Sequence, residues 1–130
     1  HQQIGLGMIG ELKNPIEETV FLNLVKEKML CGGIRHSEFL GKPIQKVAVL
    51  GGSGAFAIGK AKSMGADIFI TADLKYHQFY EAEKQLIIAD IGHYESERYT
   101  KNYIYDFLIK KLPNFAIILS ELNTNPIKHL

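Results

Sequence analysis

The chain has 130 residues, of which 46% are hydrophobic and 22% charged, the make-up of one compact globular domain. Fifteen Lys and Arg against fourteen Asp and Glu leave a net charge of +1, which gives no electrostatic case for nucleic acid or an anionic membrane. One cysteine, Cys31, excludes an internal disulfide and fits a reducing compartment. No apolar run approaches the ~18 residues of a membrane span and no signal peptide is visible, so the expected location is the cytoplasm. The first residue is His1 rather than Met, so the chain is expected to be a fragment of a longer protein or to carry a residue left from a tag.

Residues 4–12, IGLGMIGEL, alternate apolar with glycine or polar residues and predict a strand, weakened by three glycines. Asn14-Pro15 supplies an N-cap and an N1 proline for a helix running to about Leu30, whose inward stripe would be Ile16, Val20, Phe21, Leu24 and Val25. Gly32-Gly33 stops it, with Cys31 read as a structural residue. Residues 34–39 form a weak strand candidate before the Gly41-Lys42-Pro43 turn.

From Val47 onward, VAVL (47–50), DIFIT (67–71), LIIADI (86–91) and FAIIL (115–119) are near-continuous apolar runs, as expected for strands buried on both faces of a parallel sheet. Helical segments over 55–64, 74–84 and 94–112 separate them. The expected fold class is α/β: one layered domain over 1–130, with a mostly parallel sheet and helices on its faces. In open α/β sheets ligands bind outside the carboxyl ends of the strands. Here those ends carry Gly51-Gly52-Ser53-Gly54, Thr71-Ala72-Asp73, Gly92-His93 and Ser120-Glu121.

Three of these stretches carry chemistry. The Gly51–Gly54 loop lets backbone amides approach an anion at a helix N-terminus, and Gly52, Gly54 and Ala57 meet G-x-G-x-x-A with Asp73 near the place of a ribose-binding acid. A tight turn with small residues for close packing accounts for the same glycines. Asp73 reads as an N-cap, and His77, four residues on, as a side chain that Asp73 could orient toward a shared cavity. His93 and Glu97 lie about 40° apart on one helical face, a spacing that suits one metal ion. The helical count puts Ile104 and Leu108 on that face, so the pair is expected to point inward and to need a metal, a proton or a cation. The alternative is a solvated first turn with a Glu97–Lys101 pair. Imidazole and carboxylate suit zinc, manganese or iron, and two ligands are too few. His1, His36 and His129 are expected to be surface histidines.

GHYESE (92–97), TADLKYH (71–77), VAVLGGSGA (47–55), GLGMIGEL (5–12) and NTNP (123–126) follow the order found in the C-terminal part of the NIF-three-like proteins. The chain thus resembles these dinuclear-metal-centre proteins, whose bacterial members are often labelled GTP cyclohydrolase 1 type 2 homologues. The resemblance implies a two-ion site in the full-length protein with His93 and Glu97 as ligands, and with further ligands from a His-His-Pro motif and an Asp in a preceding half. This chain has no adjacent His pair, so it is expected to hold a half-site with weak or absent metal binding. Thr71, Asp73, Gly52, Ser53 and Gly54 would line the site and His77 would be the catalytic acid/base or substrate contact, with no separate cofactor-binding residue. Thr71-Ala72-Asp73 departs from the family's Thr-Gly-Asp, which puts the turn geometry in question because alanine tolerates positive φ poorly.

The leading expectation is therefore a metal-dependent hydrolase-like domain acting on a nucleotide or other phosphorylated small molecule. The resemblance also implies a homo-oligomer, a hexameric ring in full-length members. A non-catalytic metal-binding regulatory or interaction module is the alternative, and a dinucleotide-binding oxidoreductase rests on the glycine fingerprint alone.

Overall fold

A computed structural model describes residues 5–130, so His1 and the first residue of the predicted 4–12 strand lie outside the described residues. The elements are β1 (Met8–Ile16), α1 (Glu18–Met29), β2 (Arg35–His36), β3 (Ile44–Ser53), a 3-10 turn (Ala55–Ala57) leading into α2 (Ile58–Ser63), and β4 (Ile68–Ala72). A 3-10 segment (Tyr76–Ala82), β5 (Ile87–Asp90), α3 (His93–Glu97) and α4 (Thr100–Lys111) follow. The strands form one sheet in the order β1-β3-β4-β5-β2. Its three central strands are parallel, and both edge strands are antiparallel to their neighbours. The α/β class and the three central strands are as the apolar runs indicate.

Alternation along those strands builds a core on each face. Ala48, Leu50, Phe69 and Ile88 pack with Ile58 and Ala61 of α2. Ile68, Ile70, Ile87 and Ala89 pack on the other face with Phe21 and Leu22 of α1. Cys31 is buried at the end of α1, and its burial pushes the thiol pKa up to about 11, so it is an inert packing residue.

Several expectations are corrected. β1 continues through Asn14 and Pro15 to Ile16, with a register irregularity between Glu11 and Ile16, because an edge strand tolerates a proline that has no N–H to donate. The N-cap of α1 is consequently Glu17, not Asn14; its carboxylate accepts from the amides of Thr19 (3.0 Å) and Val20 (2.9 Å). The buried face of the helix carries Glu18, Phe21 and Leu22, while Val20 and Leu24 of the expected stripe are exposed. Glu18 is satisfied in the interior by the amides of Leu40 (2.6 Å) and Gly41 (3.1 Å).

The 115–119 run forms no strand; residues past Leu112 carry no regular hydrogen-bonded element, and Phe115 and Ile118 are exposed. The place beside β5 is taken by β2, and an apolar run without a partner strand has no ladder to join. The helix expected over 74–84 is a 3-10 segment, and that over 94–112 is split into α3 and α4. No helix among the described residues is long and apolar enough to cross a membrane.

Phe69 is 2% exposed and packs among side chains of β3, β5 and α2. Phe69→Ala is expected to lower unfolding free energy by about 3–5 kcal/mol, measured by urea denaturation, with little change in m.

Candidate metal centre

The carboxyl ends of β3, β4 and β5 meet at one edge, and the side chains there form a connected set. Gly52, at φ +69°, bends the end of β3, and a Cβ at that position would lie 2.7 Å from Glu97 Oε1 and 3.4 Å from His93 Cε1. Glycine suits the left-handed backbone there and leaves room for the Glu97 carboxylate. Gly52 N donates to Ser96 Oγ at 2.8 Å, and Thr71 Oγ1, fully buried at the end of β4, donates to Gly52 O at 3.1 Å. Gly54 packs on the Thr71 side chain, where any Cβ would collide. These glycines are therefore accounted for by packing, and the Gly52 amide offered to an anion in the dinucleotide reading is already engaged by Ser96.

Asp73 follows β4 with φ +58°, a left-handed conformation that aspartate tolerates better than most residues. Ala72 lies within β4, so the positive φ falls one residue beyond the alanine and the substitution leaves the turn intact. The Asp73 carboxylate caps no helix. It accepts from the Ser53 hydroxyl and pairs with His93 Nδ1, 2.6 Å from Oδ2. The residue that Asp73 orients is therefore His93, not His77. Among the described residues no hydrogen bond reaches the side chain of His77, which is exposed on the 3-10 segment.

His93 opens α3 after Gly92, whose φ of +92° directs the chain away from β5. Its Nε2 lies 3.2 Å from Glu97 Oε2, across one helical turn. The two side chains retain 48% and 51% of their exposure, so the pair opens to solvent and does not point inward. The helical count misleads because the chain leaves the α3 geometry between Glu97 and Thr100. Ile104 is half exposed, and no residue of α4 is buried. The inward residue of the motif is instead Glu95, 5% exposed beneath Gly92, with Oε1 accepting from Asn125 Nδ2 at 2.9 Å. Lys101 does not pair with Glu97; its ammonium donates to the Ser120 carbonyl at 2.7 Å.

The donor set can be tested against a divalent ion. With Nδ1–H donated to Asp73, neutral His93 presents an Nε2 lone pair beside a Glu97 oxygen, the arrangement in which a carboxylate fixes the tautomer of a metal-binding imidazole. The chemistry fits and the number does not complete a shell. Among the described residues no group of three or more His, Cys, Asp or Glu is placed to hold an ion. Sequence spacing identifies His93 and Glu97 but misses the Asp73–His93 link, since the two residues are 20 apart and only the adjacency of β4 and β5 joins them. Ser96 is also missed, although its hydroxyl within the motif is the available signal.

Residues 1–126 match the family described as Duf34/NIF3 (NGG1p interacting factor 3). The chain belongs to this family. It is 37% identical over 131 aligned residues to a GTP cyclohydrolase 1 type 2 homolog of Bacillus subtilis (strain 168), covering 97% of this chain and 35% of that protein. A protein of the same description in Staphylococcus epidermidis is 34% identical, covering 98% of this chain and 36% of the relative. The crystal structure of Staphylococcus aureus hypothetical protein SA1388 superposes with a TM-score of 0.89 at 28% identity, over 97% of this chain and 43% of that one. The chain thus spans little more than a third of the length of the curated NIF3 relatives it matches.

The electrostatics of the pair give a direct check. The hydrogen bond of Asp73 raises the His93 pKa against the opposing effect of burial, and the charges of Asp73 and Glu97 add to the rise. The Ser53 hydroxyl and His93 hold the Asp73 carboxyl below its usual range. A raised His pKa gives stability that is complete below the unfolded value and is lost as pH rises through the folded one. A lowered Asp pKa gives stability present above the unfolded value and lost as pH falls through the folded one. The pair therefore contributes fully between about pH 3.9 and 6.5, and modestly because it is half exposed. In an NMR titration His93 is expected to titrate above 6.5, and Asp73→Asn is expected to bring it back toward the ordinary value.

Proposed function

We propose that this chain supplies two ligands, His93 Nε2 and a Glu97 carboxylate oxygen, to a divalent-metal site of a hydrolase-like NIF3 protein. The observation that carries the reading is the Asp73–His93–Glu97 line, in which one imidazole nitrogen is fixed by a carboxylate and the other faces a second carboxylate at 3.2 Å. The relatives are nearly three times as long as the segment they share with this chain, which supports the reading that further ligands, and a second ion, belong to the longer protein.

A divalent zinc, manganese or iron ion bound there supplies Lewis acidity and a water acidic enough to act near neutral pH. The chain's own residues do the rest. Asp73 holds the His93 tautomer, Ser53 holds Asp73, and Gly52 leaves the space that Glu97 occupies. His77 is proposed as an acid/base on the family resemblance alone, since the geometry gives it no link to Asp73. The substrate class proposed is a nucleotide or other phosphorylated small molecule, in keeping with the description of the relatives as GTP cyclohydrolase 1 type 2 homologs.

A second reading, a metal-binding assembly module, is favoured by α4. None of its residues is buried, and Tyr103, Ile104 and Phe107 are at least half exposed, an apolar face suited to homo-oligomer contacts. Elemental analysis and calorimetry separate the readings. His93→Ala and Glu97→Ala are each expected to remove divalent-ion binding, and binding by the parent chain is expected to be weak and to fall as acid protonates His93. Retention of metal by both variants would sink the ligand assignment. Metal binding without turnover of any phosphoester by the longer protein would favour the assembly module.

A further inference from the structure

We infer that the cleft beside His93 and Glu97 is a phosphate-monoester subsite whose contact residue is Lys101. The inference deepens the metal-site reading and rests on it for what reacts, but not for what binds. The cleft holds about 830 Å³, within the range of small-molecule sites. One wall comes from α3 and α4 and the other from the segment running from Ser120 to Ile127.

Charge decides what it accepts. Among the described residues Glu97 is the one acidic residue on its walls, and its carboxylate faces His93 Nε2. Lys101 and Arg98 are the permanent cations. Arg98 is engaged on one side: Nη1 donates to Met29 O at 3.2 Å, and the guanidinium lies 5.8 Å from the ring centres of both Tyr94 and Tyr99. Lys101 spends one donor on Ser120 O and, among the described residues, pairs with no carboxylate. Two donors of a compact ammonium are left at the mouth of a net-positive cleft.

A compact point charge with a guanidinium on the same wall suits the doubly charged tetrahedral oxygens of a phosphate monoester better than a singly charged carboxylate. Thr100, Ser120 and Thr124 add hydroxyl-bearing side chains to the walls, and Ile104 and Leu122 add apolar surface for the organic part of an ester. A phosphate held by Lys101 would share the cleft that His93 and Glu97 line.

The test titrates inorganic phosphate into the ¹⁵N-labelled chain in EDTA, following amide shifts of residues 93–101 and 120–125. Saturable shifts confined to the cleft are expected, and Lys101→Gln is expected to weaken binding by about tenfold, the loss of one charge-assisted hydrogen bond. Lys110→Gln, on the same helix and away from the cleft, should bind as the parent does. Absence of cleft shifts, or unchanged affinity in Lys101→Gln, overturns the subsite. An equal response to acetate overturns the choice of phosphate. Calorimetry with manganese or zinc on the same samples keeps the two readings apart. Lys101→Gln should retain whatever metal the parent binds, while His93→Ala should lose metal and still bind phosphate in EDTA.

Discussion

The Asp90 carboxylate fixes the part of the strand-end edge from which Asp73 and His93 project. It is 5% exposed at the end of β5, where an unsatisfied charge would be costly. Three donors answer it: the Arg35 guanidinium from β2, the Leu74 amide at 3.0 Å and the Gly92 amide at 3.0 Å. Arg35 also donates to the Leu74 carbonyl at 2.9 Å, so both backbone groups of Leu74 are held. One buried side chain thereby joins the edge strand, the loop after β4 and the turn into α3. Loss of Arg35 would leave the buried charge without its counter-charge, which is worse than never having placed it there.

The geometry of the His93–Glu97 pair follows from that anchor. With Leu74 held by Asp90, the preceding residue is confined to a tight turn, and Asp73 meets it in the left-handed region. Its carboxylate is thereby aimed across to β5 and meets His93, which Gly92 has turned out of the strand. Glycine at position 52 then lets α3 settle against the end of β3, and Ser96 closes that contact by accepting from the Gly52 amide. The half-exposed His93–Glu97 pair is held by the Asp73 carboxylate, itself fixed by Ser53, which gives it a defined shape while leaving it accessible to a ligand. Preorganisation of this kind is what a metal or substrate site requires.

The segment after α4 adds the other side of the site without forming a strand. Asn125 donates to buried Glu95, and Lys101 donates to Ser120, so the chain is tied back to α3 at one point and to α4 at another. Asn123 and Asn125 each accept from the amide two residues on, at 3.0 and 3.1 Å, making local turns of the kind asparagine favours. The NTNP signature therefore has a structural role, closing the cleft wall opposite His93 and Glu97. Its Pro126 and the following Ile127 complete that wall.

The sequence by itself determined the α/β class, the three central parallel strands and the placing of glycine-rich and titratable residues at their carboxyl ends. Each follows from local pattern: apolar runs that need burial on both faces, and turn residues between them. It also marked His93 and Glu97 by helical spacing and, through the motif order, the NIF3 family. The tertiary structure decided what those residues face. Whether FAIIL pairs depends on a vacant sheet edge, whether His93 points in or out depends on where α3 ends, and which histidine Asp73 holds depends on strand neighbours 20 residues apart. None of these is a local property, because strand order and helix termination are set by competition among distant segments for the same partners.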